Sequence, residues 1–193
     1  LKPGENPVSV MKDITIPAID PLTKMEDNRL PVRRNLVKKT RAEVEGRIHG
    51  IEQQLDASIP AKDEWPEWLQ KTKPKWGATN WTKWWLFVYQ GAPVVDVGKP
   101  TKTWPDGNPS VSKKALGQMA HPAAKLLSRR SALYKTLTGF LVPLTERAVD
   151  GRVSTSYRLT GTVTGRLSSS SPGDDNPGIN SQQIPRDKAT RNL

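Results

Sequence analysis

Apolar residues recur at three- and four-residue spacing from Asn35 to about Ser58, where Leu36, Thr40, Val44, Ile48, Ile51 and Leu55 share one face. Arg34, Lys38, Arg41 and Glu45 fall on the other. The pattern predicts an amphipathic helix, which Gly46 and Gly50 weaken by about 1 kcal/mol each relative to alanine. Asn80 to Gln90 predicts a shorter, Trp-rich helix closed by Gly91 and Pro93. Ser110 or Ser112 suits the N-cap of a helix running to about Met119. Pro122 suits the first turn of a long helix to about Val149, striped by Leu126, Leu133, Leu137, Leu141 and Leu144. Asp150-Gly151 then signals a turn. Beyond it the period changes to two: Val153, Thr155, Tyr157 and Leu159 alternate with polar residues and predict a strand, with Thr162–Thr164 as a second.

The intervening stretches lack either period. Residues 1–20 are Pro-rich and expected to be extended, with Ile14, Ile16 and Ile19 as apolar anchors. Met25-Glu26-Asp27-Asn28 begins a short segment that Pro31 interrupts. Residues 59–80 and 94–109 predict loops, as does the Ser/Gly/Pro/Asp-rich chain beyond Gly165. No internal repeat occurs. The expected fold is mainly α, with a small antiparallel β element at the C-terminal end. It divides into an extended segment (1–20), a helical region (21–150), and first strands with a loop (151–193).

Composition narrows the partners. Among 193 residues, 35% are hydrophobic, and 30 Lys and Arg against 19 Asp and Glu give a formal charge of +11. A field of that sign favours polyanions, although charge retained for solubility alone is the rival reading. Cysteine is absent, which removes thiolate nucleophiles, disulfides and Cys-based zinc sites. That absence suits a reducing compartment. No apolar run approaches the roughly 20 residues needed to span a bilayer, so no membrane partner is expected. The N-terminus has no signal-peptide core, and Leu1 in place of an initiator Met suggests that the sequence begins inside a longer reading frame.

Two other groups of residues have competing readings. Seven tryptophans (65, 68, 76, 81, 84, 85 and 104) could stack on unpaired bases, but Trp81, Trp84 and Trp85 sit at helix-face spacing and favour packing. Lys71, Lys73 and Lys75 read best as a solvated loop. His49 and His121 are too isolated for a metal site. Asp174-Asp175, flanked by Gly and Pro, is not taken as a metal pair.

The chemistry concentrates near the C-terminus, in Thr164-Gly165-Arg166-Leu167-Ser168-Ser169-Ser170 and Asn180-Ser181-Gln182-Gln183-Ile184-Pro185-Arg186. A glycine before Arg166 allows close backbone approach to a ligand, and short hydroxyls suit phosphate or sugar contacts. The minor groove presents similar acceptors at every base pair. A guanidinium there reads correct pairing and ignores sequence.

These segments resemble the T-G-R-L-S-S-S … N-x-Q-x-I-P signature of family A DNA polymerases, the DNA polymerase I family, with Q-Q-I-P-R-D as a phage-type variant. The resemblance implies that Arg166 contacts the minor groove at the primer terminus, flanked by Thr164, Ser168 and Ser169. It also implies that Asn180 and Gln182 touch template or primer near the same base pair. Gln183 stands where the family often has Asn, and Pro172 to Gly178 lengthen the link. Upstream, Pro21-Leu22 with Met25-Glu26 resembles the P-L … M-E-x-x-G segment leading into the thumb. Asn80-Trp81-Thr82 with Leu86-Phe87 is similar to N-x-x-S … L-L-F. Gly98-Lys99-Pro100-Thr101-Lys102-Thr103 with Ser110 and Ser112 resembles the thumb tip, where Lys99, Lys102, Ser110 and Ser112 would grip the duplex backbone. His121-Pro122 with Arg130 and Lys135 is similar to the H-P … Y-R-x-x-x-K helix, with the Arg–Lys spacing one residue longer.

The resemblance covers about residues 20–193 and implies part of a right-hand polymerase fold: a thumb over 21–150 and the start of the palm over 151–193. Primer–template DNA is the implied partner. The intact enzyme would add dNTPs with Mg²⁺ held by two carboxylates, in the cytoplasm of a bacterial or phage-infected cell. Neither those carboxylates nor a fingers motif occurs before Leu193. The chain alone is therefore expected to grip DNA without catalysing, the remaining polymerase chain supplying the rest. A standalone basic nucleic-acid-binding accessory protein and one half of a split polymerase are the alternatives.

Overall fold

The computed structural model describes residues 6–159, 166–172 and 178–184. The fold is mainly α with small antiparallel sheets, each of two strands. It divides into two compact units, one formed by residues 1–42 and 136–193 and the other by residues 43–135.

The first unit opens with helix where an extended segment was expected. α1 (Pro7–Val10), a wide π turn (Met11–Thr15) and α2 (Ile16–Asn28) follow one another without a break. Two devices reconcile Pro7 and Pro17 with helix, while Pro21 sits inside α2. Asn6 caps the start, its Oδ1 accepting the Val8 N–H at 2.9 Å, and Pro7 occupies the first-turn position where a missing N–H costs nothing. The π turn ends just before Pro17, so the ladder changes register where proline has no donor to offer. Ile14, Ile16 and Ile19 are all exposed and anchor nothing among the described residues.

The same device recurs later. α6 (Pro122–Thr136) passes through a π turn (Leu137–Leu141) into α7 (Val142–Arg147), with Pro143 in the first turn of α7. The predicted long helix is therefore present, and it stops at Arg147. Asp150 and Gly151 both adopt positive φ, 51° and 71°, and reverse the chain. This turn lets β4 (Arg152–Val153) pair with β1 (Leu30–Pro31). The expected strand over 153–159 is broken into β4 and β5 (Ser156–Arg158). β5 pairs with β6 (Ser168–Ser170), where the sequence predicted only loop. A three-serine strand carries no apolar alternation to betray it; its partner and its side-chain bonds create it. The expected strand at Thr162–Thr164 lies outside the described residues.

In α3 (Arg34–Asp56) the buried stripe runs through Val37, Val44, Ile48 and Leu55, so Val37 takes the place expected of Leu36. The second unit is built around tryptophan. α4 (Asn80–Lys83) and its π extension (Trp84–Tyr89) bury Trp81, Trp84, Trp85 and Leu86 against Leu55, Leu69, Leu116, Ala124 and Leu127. Trp76 meets Trp81 and Trp85 edge-on, at centroid distances of 4.9 and 4.7 Å, an arrangement worth about 0.5–1.5 kcal/mol per pair beyond burial. The indole N–H groups also order the chain around them. Trp65 donates to the Pro60 carbonyl, Trp76 to Asp56 and Trp85 to the Ser58 carbonyl, at 3.1, 2.7 and 3.2 Å. Gly91 closes the Trp helix at φ 64°, as expected. α5 (Lys113–Gln118) starts at Ser112, whose Oγ accepts the Ala115 N–H at 3.2 Å. Residues 94–109 are not all loop: β2 (Val97–Gly98) pairs with β3 (Asn108–Pro109).

Candidate nucleic-acid interface

In the first unit, the two C-terminal motifs are stitched together around one serine. Ser169 is buried in β6. Its Oγ donates to Asn180 Oδ1 at 2.7 Å and accepts from the Gln182 backbone N–H and the Ser181 hydroxyl, both at 3.1 Å. Its N–H donates to Gln182 Oε1 at 3.2 Å. Gln182 closes the ring, its Nε2 donating to the Leu167 carbonyl at 2.6 Å. A buried hydroxyl that lost these partners would leave several polar groups unpaired, at about 1–3 kcal/mol each.

Further contacts hold the link between the motifs. Arg147 Nη1 donates to the Gly178 carbonyl at 2.7 Å, and the Ser171 hydroxyl donates to the same oxygen at 2.8 Å. Ile179 N–H donates to the Ser154 carbonyl at 2.9 Å. At Gly178 a Cβ would fall on the Ser154 backbone and the Pro172 ring, so only glycine fits. On the opposite strand, Glu26 Oε1 accepts the Tyr157 N–H at 2.5 Å and the Ser156 hydroxyl at 3.3 Å. Arg152 Nη1 donates to the Asn28 carbonyl at 2.5 Å. The end of α2 thus fixes β5, β5 fixes β6, and β6 seats the second motif.

Of the residues expected at DNA in this unit, Arg166 is exposed, two residues ahead of β6. Ser169, Asn180 and Gln182 come together, with Asn180 and Gln182 spending side-chain polar atoms on Ser169 and Leu167, while the Ser168 hydroxyl donates to the Arg158 carbonyl. Gln183 is exposed in the single 3₁₀ turn Ser181–Gln183. Thr164 and Gly165 lie outside the described residues. Sequence reasoning missed Glu26, Arg147, Ser154 and Gly178 as supports. Glu26 was visible as part of the Met25-Glu26 segment; the others carried no local signal.

In the second unit, Lys99 and Lys102 are exposed on the connection between β2 and β3. This connection is pinned: Lys83 Nζ donates to Asn108 Oδ1 at 2.6 Å and Trp104 Nε1 to Asn80 Oδ1 at 3.3 Å. Gly107, at φ 125°, lies against the Val97 side chain and leaves no room for a Cβ. Ser110 Oγ accepts the Ser112 N–H at 3.3 Å, and Ser112 is the helix cap described above. Both hydroxyls keep a proton to donate. Lys135 is exposed at the end of α6. Arg130, also expected at the duplex, has its guanidinium on an internal partner. It is buried, with Nε and Nη2 on Glu52 Oε1 at 2.7 and 2.6 Å and its guanidinium 4.9 Å from the Tyr134 ring centroid. Its apolar surroundings on α6 carried it inward, and Glu52 on α3 neutralises it there. The stacking role weighed for the tryptophans fails for Trp65, Trp76, Trp81, Trp84 and Trp85, which form core.

Because Glu26 holds β5 through two bonds, Glu26→Ala is expected to destabilise the fold by about 1–2 kcal/mol. Glu26→Gln, which keeps the accepting oxygen, should recover most of that in thermal denaturation. Equal losses for both variants would show that the carboxylate's charge, not its geometry, is what matters.

No protein-family model matches the chain. In three dimensions the chain is similar to a polymerase domain: the POL domain of Pol1 from M. smegmatis, solved in complex with DNA primer-template and dNTP. The TM-score is 0.64 at 21% identity, over 95% of this chain and 29% of that one. The chain therefore has a polymerase-like fold and spans less than a third of that neighbour's length.

Proposed function

We propose that this chain is a DNA-gripping portion of a family A DNA-directed DNA polymerase, with a thumb role for residues 21–150 and an early-palm role for residues 151–193. The observation that carries the reading is the Ser169-centred network. It bonds the two motifs to each other, and Arg166, three residues before Ser169, is exposed. A cation presented from a fixed backbone can lie against paired bases and read acceptors common to all four pairs. The likeness in fold and the charge of +11 support the same reading. In it, Asn180 and Gln182 act chiefly by shaping the seat, and Lys99, Lys102, Ser110 and Ser112 hold phosphates.

Nucleotide addition is proposed for the intact enzyme, with dNTP and Mg²⁺ bound by further polymerase sequence or by a partner chain. Among the described residues no three His, Asp or Glu side chains gather as a metal site. No catalytic step is assigned to them. Among the described residues no helix is long and apolar enough to cross a membrane.

Arg166→Ala is expected to weaken binding of a primer–template by about 1–3 kcal/mol, to a similar degree for unrelated sequences. Fluorescence anisotropy with two duplexes of different sequence measures it. Parental affinity in the variant would end the minor-groove assignment.

A further inference from the structure

Five tryptophans are core, but Trp68 is not. It is 45% exposed, in the 3₁₀ turn Glu67–Leu69, and its ring meets that of Trp104 at 6.4 Å and 79°. In an edge-to-face pair neither ring covers both faces of the other, and nearly half of the Trp68 surface is open to solvent. Trp104 is fixed from behind. Its indole N–H bonds Asn80, and its backbone exchanges bonds with Thr101 in both directions, at 3.0 and 3.1 Å. The ring contact joins two chain segments, each with exposed lysines close by: Lys71 and Lys73 follow Trp68, and Lys99 and Lys102 precede Trp104. Glu67 and Asp106 adjoin the pair on the far side in each segment.

We propose that the Trp68–Trp104 pair is a stacking platform for unpaired bases of a single-stranded nucleic acid, whose phosphates run past Lys71, Lys73, Lys99 and Lys102. An aromatic face is sequence-tolerant because every base has a π-face, and lysines track the backbone without reading it. This site shares Lys99 and Lys102 with the proposed duplex grip but does not include Arg166 and does not rest on it. Duplex DNA buries its base faces and cannot use an exposed indole except at an end.

The test compares anisotropy of labelled oligo(dT), oligo(U), an abasic oligonucleotide of equal length, and a closed dumbbell duplex without unpaired ends. The parent should bind oligo(dT) or oligo(U) about tenfold more tightly than the abasic strand. Trp68→Ala should fall to the abasic level, Trp68→Phe should retain most of the affinity, and neither should change dumbbell binding. Abasic binding equal to oligo(dT) in the parent overturns the proposal, whatever the variants do. So does parental oligo(dT) affinity in Trp68→Ala, or an equal loss on the dumbbell. The Arg166 assignment fails separately, by the primer–template measurement.

Discussion

Replacing Arg130 by alanine is expected to lower the unfolding free energy of the 43–135 unit by about 3 kcal/mol. The guanidinium makes two contacts to one Glu52 oxygen, and its side chain is only 11% exposed. Removing one partner of a buried ion pair typically costs about 3–5 kcal/mol, because the other charge is left desolvated. Glu52, at 30% side-chain exposure, can still reach water, which places the effect at the lower end. Urea denaturation measures it. The double variant Arg130→Met with Glu52→Leu should recover most of the loss, since apolar isosteres of a buried pair are often neutral. If Arg130→Ala keeps its stability but loses affinity for primer–template, the residue belongs at DNA after all.

Gly178→Ala should cost about 3 kcal/mol and weaken primer–template binding as well. The Cβ falls on the Ser154 backbone, which cannot swing aside as a side chain would. Overpacking of this kind typically costs 1–3 kcal/mol, and here the bonds around it go too. Arg147 and Ser171 both hold the Gly178 carbonyl, and Ile179 is paired to Ser154. A shift there moves Asn180 and Gln182 off Ser169. Gly178→Ala should therefore lose binding and thermal stability together. A Gly178→Ala protein with parental stability would mean that the Pro172–Gly178 link has room that this packing denies.

Local patterns were enough wherever one element's residues decide its state. The 3.6-residue period marked α3, serines at 110 and 112 marked a cap that the fold places at 112, and Asp150-Gly151 marked a turn. Prolines misled at the N-terminus because their penalty depends on register, which a π turn can shift by one residue. The hairpin at β2 and β3 and the strand of serines at β6 had no periodic signal, since partners distant in sequence make them strands.

From the order of residues alone came the helices from α3 to α7, the cationic balance, and the pair of motifs around Arg166. Folding in three dimensions decided that Ser169 is a hub, that Arg130 pairs inward with Glu52, and that Trp68 stays at the surface while five other indoles pack. Periodicity is a property of neighbours along a chain and so is written in it. Burial, pairing and a close approach such as that at Gly178 depend on which distant atoms arrive, and only the folded chain brings them together.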